Sequence, residues 1–311
     1  MSAAGRVAIG VCTAHRPQML RCCLAALASQ VIPESIELTI VVADNEPEPN
    51  NQQPVAEFAT SCSFPVHYVH EPRRGISRAR NAVLDACGNH YDWIAFTDDD
   101  CVPAPDWIGA LLEAAARHGA DVVYGRREWT PPTPAPFWFV KEGPTGRTEG
   151  QRLQVAATHN VLFAGDLAAL RFDERLAHGE DSDFFHRASQ CFGARIVYSA
   201  APVVHETVPA HRATMRYQLM RRFHRDASRF YFERRHKSLG RAALKCARRI
   251  LWHLPVSICL LVAAPLLAPF GLDRFKRIVV TNAGRVAGTA GAVVGLAGYH
   301  GDPYRKVGPE G

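Results

Sequence analysis

Strand-like and helix-like segments alternate along the first two thirds of the sequence, which predicts an α/β fold with a mostly parallel sheet and helices on both faces. The net charge of the chain changes from negative to positive where this alternation stops. Residues 1–211 contain 17 Lys and Arg against 25 Asp and Glu, whereas residues 212–311 contain 19 against 5. An almost unbroken apolar stretch, 250–272, lies inside the basic part. These observations divide the chain into a sheet domain, residues 1–208, and a helical C-terminal region, residues 209–311.

The spacing of apolar residues predicts the individual elements. Short apolar, β-branched runs indicate strands, and apolar residues at helical spacing indicate helices. The predicted strands are 7–12, 37–43, 66–69, 93–97, 195–199 and 203–205, and the predicted helices are 16–30, 76–86, 104–118 and 181–191. Two stretches rich in Pro, Asn or Gly, 46–54 and 129–150, are predicted to be loops. Ligands of such sheets bind beyond the carboxyl ends of the strands, where Asp44 and Asp98 are expected.

Three consecutive carboxylates follow the buried strand 93–97: Asp98, Asp99 and Asp100. Successive residues of a strand point to opposite faces, so Asp98 and Asp100 share one side unless the chain turns there. A divalent cation relieves their repulsion, and such ions are commonly held by one or two carboxylates together with substrate phosphates. The sequence therefore predicts a site for Mg²⁺ or Mn²⁺. The alternative is a cap for the following helix, for which one carboxylate is enough.

Five motifs occur in order: VAIGVCTAHRP, VVADN, EPRRGISRARN, TDDD and HGEDSDFF, which begin at Val7, Val41, Glu71, Thr97 and His178. In this order they resemble family 2 inverting glycosyltransferases, which have the nucleotide-diphosphosugar (GT-A) fold. Three segments, EPRRGISRARN, GEDSDFF and VVHETVP, are similar to those of bacterial glucosyltransferases of succinoglycan-type exopolysaccharide assembly. The resemblance implies a UDP-sugar donor, UDP-glucose, and an oligosaccharide on a polyprenyl diphosphate lipid as acceptor.

The resemblance also implies which residues contact the nucleotide. Thr13, His15 and Arg16 would line the nucleotide pocket, and Asp44 would accept a hydrogen bond from the uracil N–H. The arginine-rich segment before and within helix 76–86 would bind the diphosphate through guanidinium groups and a helix start. Its proposed donors are Arg74, Arg80 and Asn81.

For the metal site, the resemblance places Asp98 near the ribose hydroxyls and Asp100, with Asp99, on the metal ion. His205 follows an apolar strand and resembles a histidine that completes the metal site in some relatives. A single histidine in this position is equally consistent with a structural role, so both readings of His205 stay open.

Inversion at the anomeric carbon requires a base that removes the proton of the acceptor hydroxyl. Glu180 and Asp181 follow Gly179, which permits a tight turn, and they begin a helical pattern. We expect Asp181 to be the base, with Glu180 as the alternative. We also expect the helix N-terminus to keep the pKa of Asp181 low, so that the carboxylate is ionised. Alternatively, both residues only complement the helix dipole.

The apolar stretch 250–272 is long enough to cross a bilayer, but its prolines are expected to break a straight helix. Basic residues flank it on both sides, which favours a re-entrant or interfacial segment at the cytoplasmic face of the inner (plasma) membrane. The basic, aromatic segment 212–237 is expected to face anionic lipid. The alternative is that these segments are buried helices of a second soluble domain.

Two other functions agree with parts of the sequence. A nucleotidyltransferase also uses metal-bound aspartates, but His15, Arg16 and Pro17 stand where a Gly-rich triphosphate loop is expected. A nucleic-acid-binding protein would use the basic region, in which the apolar stretch would have no role. The sequence therefore predicts a metal-dependent hexosyltransferase with a membrane-surface partner and no nucleic-acid partner.

Overall fold

The structure is a computed structural model that describes residues 5–131, 133–136, 146–176, 178–236, 238–267 and 272–299. Its strands are β1 (Gly5–Thr13), β2 (Ile36–Asp44), β3 (Val66–His70), β4 (Trp93–Asp98), β5 (Cys101–Pro103), β6 (Val122–Thr130), β7 (Arg152–Leu153), β8 (Asn160–Ala164) and β9 (Ile196–Thr207). Its helices are α1 (Pro17–Ala28), α2 (Gln52–Ser61), α3 (Ile76–Cys87), α4 (Trp107–His118), α5 (Glu180–Cys191), α6 (Met215–His236), α7 (Leu239–Arg248), α8 (Leu254–Leu267) and α9 (Leu272–Leu296).

The strands form one sheet in the order β3-β2-β1-β4-β8-β6-β9-β5, with β7 also paired to β9. The pairings of β1 with β2 and β4, of β2 with β3, and of β6 with β9 are parallel. The short strand β8 pairs antiparallel with both β4 and β6. The predicted α/β architecture with a mostly parallel sheet is confirmed, and β8 adds an antiparallel insertion at its centre.

Strands β5, β6, β7 and β8 were not predicted, and several predicted boundaries differ from the structure. Helix α2 begins inside the predicted loop 46–54, and β6 extends to Thr130, inside the predicted loop 129–150. The two predicted strands 195–199 and 203–205 form a single strand, β9, with a register shift against β6. The shift places Pro202 outside the ladder, so its missing N–H removes no hydrogen bond between the strands.

Different helices cover the two faces of the sheet. On one face, α1 and α4 bury Leu20, Leu24, Trp107 and Leu111 in one core cluster, in which α4 packs on β6, β8 and β9. On the other face, α3 and α5 bury Val83, Leu84, Phe184 and Phe185. The parallel register sets Thr13 beside Asp44 and Cys12 beside Asp98. Packing on both faces thus fixes the carboxyl ends of β1, β2 and β4 at one edge.

In the C-terminal region, α6 and α9 pack backbone against backbone. A Cβ added at Gly291 or Gly295 would lie 2.1 Å from the carbonyl oxygen of Phe223 or Ala227 on α6. Only glycine permits such an approach, as in closely packed membrane helices. Helix α6 buries Phe230, whereas most of its other residues are exposed or half-buried, and the expected contact of segment 212–237 with anionic lipid stays a prediction.

The helix does not break at Pro255 as expected. A π-helical turn, Arg249–His253, joins α7 directly to α8. A widened turn of this kind accommodates a following proline, whose nitrogen cannot donate to the preceding turn. Pro265 lies within α8, whereas Pro269 lies outside the described residues.

Two helical segments are long and apolar enough to cross a bilayer by length and composition, Leu239–Leu266 and Phe275–Leu296. Helices α8 and α9 contact each other. The segment that includes α8 exposes large apolar side chains at Leu251, Trp252, Val262 and Leu266. An exposed apolar surface of this kind is typical of a protein or membrane contact. The two helices could therefore be membrane-associated.

Candidate active site

The acidic triplet lies where the chain turns from β4 into β5, so its members do not alternate as in a straight strand. Asp98 ends β4, and 41% of its side chain is exposed in a cleft. Asp99 points into the domain, where it accepts hydrogen bonds from Thr13 Oγ1 at 2.9 Å and Arg16 Nη1 at 3.1 Å. The turn therefore separates Asp99 from Asp98.

Asp100 is enclosed by two arginines. Its Oδ2 lies 2.9 Å from Arg212 Nη1 and 3.3 Å from Arg16 Nη1, and 8% of its side chain is exposed. Arg212 lies in the short 3₁₀ segment Ala210–Ala213 that follows β9. Sequence reasoning missed this contact because the two partners are more than a hundred residues apart.

The carboxyl groups of the triplet are crowded and partly desolvated, although three arginines, Arg16, Arg80 and Arg212, lie within ion-pair distance of them. Burial raises the pKa of Asp99 to about 7, against the opposing effect of Arg16. Desolvation in the cleft, followed by the like charge of Asp100, raises the pKa of Asp98. Bringing a cation near these carboxylates would relieve the repulsion.

The donor set suits a divalent ion that takes most of its ligands from elsewhere. In the part of the chain that the structure describes, no group of three or more His, Cys, Asp or Glu side chains is arranged to hold a metal ion. Mg²⁺ needs only one or two carboxylates when substrate phosphates and water complete its shell. Asp100, a predicted metal ligand, and Asp98, which was predicted at the ribose hydroxyls, would supply these carboxylates. Asp99, the other predicted aspartate ligand, instead accepts hydrogen bonds from Thr13 and Arg16 inside the domain.

The structure does not bring His205 to the triplet. Its side chain is 49% exposed, and its Nδ1 lies 3.6 Å from Glu128 Oε2 on β6. The next residue, Glu206, points to the other face of β9, where Arg127 Nη1 donates to its Oε2 at 3.0 Å and Arg212 lies 3.8 Å from Oε1. Sequence reasoning missed Glu206, although strand alternation between the two residues was a usable signal.

At the edge where the nucleotide is predicted to bind, Glu46 organises the loop after β1. His15 has a positive φ of 58°. Its backbone N–H donates to Glu46 Oε1 at 2.7 Å, and its Nδ1 lies 3.2 Å from Oε2. Asn50 and Asn51 also donate to this carboxylate. Glu46 is a buried acceptor that sequence reasoning missed.

Asp44 is fully buried and already has several internal donors. Tyr68 donates its hydroxyl to Asp44 Oδ2 at 2.8 Å, and Asn51 donates from its backbone and side chain at 2.9 and 3.1 Å. A uracil N–H would have to use a remaining lone pair of Oδ1 or displace one of these donors. The contact between Asp44 and uracil stays a prediction.

The residues predicted to bind the diphosphate occupy two environments. Arg74 is exposed near the start of α3. Asn81 is buried, and its amide exchanges two hydrogen bonds with the backbone of Phe172 at 2.8 and 2.9 Å. Asn81 therefore holds α3 against the segment before α5, and its contact with the diphosphate stays a prediction.

Arg80 connects the two acidic parts of the cleft. Its Nη1 pairs with Glu180 Oε1, and its Nη2 lies 3.9 Å from Asp98 Oδ1. The guanidinium group also lies 5.5 Å from the ring centroid of Phe172. One buried arginine thus fixes Glu180 at the start of α5 relative to the end of β4.

Asp181 begins α5 beside Glu180 but has no arginine partner among the described residues. Gly179 precedes the pair with a positive φ of 82°, which makes the predicted tight turn. Asp181 Oδ1 accepts a hydrogen bond from the backbone N–H of Ser182 at 2.6 Å. Burial, followed by the charge of Glu180, raises the pKa of Asp181 to about 7. The expected low pKa was therefore wrong, since desolvation and a like charge outweigh the helix dipole.

A polar cavity of about 150 Å³ separates Asp98 from Asp181. Thr158, His159 and His178 also line it. Burial lowers the pKa of both histidines, which keeps their rings neutral. His159 Nε2 lies 3.1 Å from the hydroxyl of Tyr124. The cavity thus combines three carboxylates and one arginine, Asp98, Glu180, Asp181 and Arg80, with uncharged donors and acceptors, a composition that suits a sugar.

The mostly parallel sheet with carboxylates beyond its strand ends agrees with the GT-A fold of nucleotide-diphosphosugar transferases that the motifs predicted. The chain belongs to glycosyltransferase family 2, since the family model, Glycosyl transferase family 2, matches residues 8–176. The predicted family and fold are therefore confirmed. Membership of this family also decides against the nucleotidyltransferase and the nucleic-acid-binding alternatives.

One curated relative is the succinoglycan biosynthesis protein ExoM of Rhizobium meliloti (strain 1021), which is 38% identical over 226 residues, 69% of this chain and 71% of that protein. The mannosyltransferase PcManGT of Pyrobaculum calidifontis, solved with GDP-Man and Mn²⁺, has a TM-score of 0.67 at 18% identity and covers 94% of this chain and 87% of its own. S. aureus TarS 1-349, solved with UDP-GlcNAc, has a TM-score of 0.54 at 15% identity and covers 91% and 90%. At these identities the two structures support the fold alone.

Proposed function

We propose that this glycosyltransferase moves glucose from UDP-glucose, with inversion, to a lipid-linked oligosaccharide in the synthesis of exopolysaccharide or another cell-surface glycan. The similarity to ExoM supports exopolysaccharide synthesis as the process. The observation that carries the chemistry is the cavity between Asp98 and Asp181, with Arg80 joined to the carboxylates of both sides. It has room for a sugar between a phosphate-binding edge and a base.

Asp181 is the proposed base. Its Oδ1 accepts the Ser182 N–H, which leaves Oδ2 to accept the proton of the acceptor hydroxyl. As this proton moves to Asp181, the acceptor oxygen bonds to the anomeric carbon, and the bond from that carbon to the donor diphosphate oxygen breaks. UDP leaves from the opposite face, so the anomeric configuration inverts. Glu180 is the weaker candidate because Arg80 pairs with it.

The proposed metal ligands are Asp98 and Asp100, with Asp99 behind them on Thr13 and Arg16. A bound Mg²⁺ or Mn²⁺ would neutralise charge on the leaving diphosphate. Arg212 lies against Asp100 and supplies positive charge on the same side of the cleft. Thr13, His15, Arg16, Asp44 and Arg74 remain the proposed nucleotide contacts.

The proposed location is the cytoplasmic face of the inner (plasma) membrane, with the C-terminal helices as the attachment. The apolar side chains that α8 exposes and the basic residues around α7 support this location. Nucleotide sugars would then reach the cleft from the cytoplasm, and the lipid-linked acceptor would reach it from the bilayer.

The decisive experiment uses membranes that contain the full chain, a panel of labelled nucleotide sugars, and lipid-linked acceptors of several lengths. We expect transfer from UDP-glucose to one acceptor length, and nuclear magnetic resonance should show a new linkage of inverted anomeric configuration. The Asp181→Asn variant serves as the inactive control. Transfer from a different donor would correct the sugar, and a retained configuration would overturn the mechanism.

A further inference from the structure

A basic pocket of about 270 Å³ lies among α6, α7 and the π turn. Its walls include four basic side chains, Arg229, Lys245, Arg248 and Arg249, and a single carboxylate, Glu233. Unlike the cleft between Asp98 and Asp181, this pocket has an excess of positive charge. It therefore suits an anion.

The carboxylates near the pocket are already paired. Lys245 Nζ donates to both oxygens of Glu233 at 2.8 and 2.9 Å, and Arg249 Nη1 lies 3.4 Å from Asp226 Oδ1. Arg248 is exposed, and no carboxylate among the described residues lies within ion-pair distance of it. The pocket thus keeps positive charge that its own acidic residues do not neutralise.

The position of the pocket indicates what kind of anion it suits. Arg248 and Arg249 immediately precede the apolar part of the helix, where Leu251, Trp252 and Val262 are exposed. An anion held at the arginines would have apolar surface directly beside it along α8. This arrangement matches an amphipathic ligand, a lipid with a phosphate-bearing headgroup.

The opposite side of α6 contacts the catalytic turn. A Cβ added at Gly179, the residue before Glu180, would lie 3.5 Å from Ser228 Cβ. Ser228 is the neighbour of Arg229, which lines the pocket. Since a helix with side chains is about 10–12 Å across, the pocket lies about one helix diameter from the active site. A short oligosaccharide covers that distance.

We propose that this pocket binds the diphosphate of the lipid-linked acceptor, with the polyprenyl chain along α8 and the saccharide directed around α6 to the cleft. This inference rests on the proposed function, from which the acceptor class is taken. The charge excess favours a diphosphate over the single negative charge of a phosphodiester headgroup.

The test titrates the full chain in detergent with farnesyl diphosphate, a short polyprenyl diphosphate, and follows binding by native mass spectrometry. Arg248→Gln removes one pocket charge from an exposed site, so it should leave folding intact. Arg241→Gln is the matched control, because it removes the same charge from the same exposed helix surface two turns earlier, outside the pocket. We expect Arg248→Gln to weaken binding about fivefold to tenfold and Arg241→Gln less than about twofold.

Parallel titrations with phosphatidylglycerol and with inorganic diphosphate separate the sources of the anion. Both should bind more weakly than farnesyl diphosphate. Equal losses of binding in the two variants would mean that general surface charge attracts the ligand, and they would overturn the proposal. Binding of phosphatidylglycerol that is equally strong and depends on Arg248 would also overturn it.

Hexose transfer is measured separately. If the protein transfers hexose but Arg248→Gln does not weaken its binding of farnesyl diphosphate, the proposed pocket is wrong and the proposed function is unaffected. If no donor supports transfer, the proposed function is wrong.

Discussion

The cleft of the sheet domain and the pocket of the C-terminal region have opposite charge imbalances. Among the side chains that line the cleft cavity, three carboxylates, Asp98, Glu180 and Asp181, face one arginine, Arg80. In the pocket, four basic side chains face one carboxylate. Each place lacks the charge that the other has in excess. The difference indicates that the cleft needs a cation and the pocket an anion.

Removal of divalent ions should have the largest effect. If the cleft depends on a cation, excess chelator should abolish transfer, and added Mg²⁺ or Mn²⁺ should restore it, because the charge of the triplet and the diphosphate would be unrelieved. Initial rates of sugar transfer at a fixed donor concentration measure this effect. Full activity in excess chelator would mean that the arginines alone neutralise the carboxylates of the cleft and the diphosphate.

Within the carboxylates of the cleft, Asp181→Asn should lower transfer about 10²–10⁴-fold while donor binding stays nearly unchanged, since a positioned base contributes about that factor. The substitution keeps size and removes only the proton acceptor. Glu180→Gln is the matched variant, and its loss should be smaller. If the Glu180 variant loses more, the base is Glu180; if both transfer at the parental rate, the segment is structural.

The close contact between α6 and α9, which holds the C-terminal region together, can be tested by substitution of its glycines. Gly291→Ala places a Cβ 2.1 Å from the carbonyl of Phe223 and should destabilise the region by about 1–3 kcal/mol. At Gly284 the same substitution meets no atom within 4 Å, and it should be neutral or slightly stabilising. Thermal unfolding of the full chain in detergent measures both. Equal unfolding temperatures would contradict the close approach of the two helices.

The pH dependence should give the smallest effect. Because the pKa of Asp181 is raised to about 7, its carboxylate is protonated below that pH, so transfer should fall as pH drops through about 7 and level off above it. Glu180 contributes to this raised pKa. Glu180→Gln should therefore move the midpoint down, by up to about one unit. A midpoint near 4 in the parent would mean that Asp181 is solvated during the reaction.

Much of the fold was predictable because the strands before Asp44 and Asp98 and the helices beside them have strong apolar periodicity. Strands β6 and β8 were not predicted although each contains a buried apolar run, 122–123 and 161–163. Other missed elements lack a clear apolar signal. Helix α2 begins among prolines and polar residues, with Val55 as its buried residue. Strand β9 contains Pro202, so the sequence predicted two strands in its place. The register shift that accommodates this proline depends on pairing with β6, a distant segment.

The site residues that belong to sequence motifs could be predicted. Contacts between residues from distant parts of the chain could not. Asp98 and Asp181 line one cavity, although they are far apart in the sequence. The partners Arg212 and Glu206 could not be assigned, because a salt bridge between distant segments leaves no local pattern. The pKa of Asp181 was also mispredicted, since desolvation depends on which side chains enclose it.

The packing of α6 has a consequence for how the enzyme meets its acceptor. This helix touches the catalytic turn at Gly179 through Ser228 and contacts the glycines of α9 through Phe223 and Ala227. A bilayer that takes up α8 and α9 would therefore fix the tilt of the cleft relative to its plane. Acceptors diffusing in that plane would reach the catalytic carboxylates from one direction, in a two-dimensional search rather than a three-dimensional one.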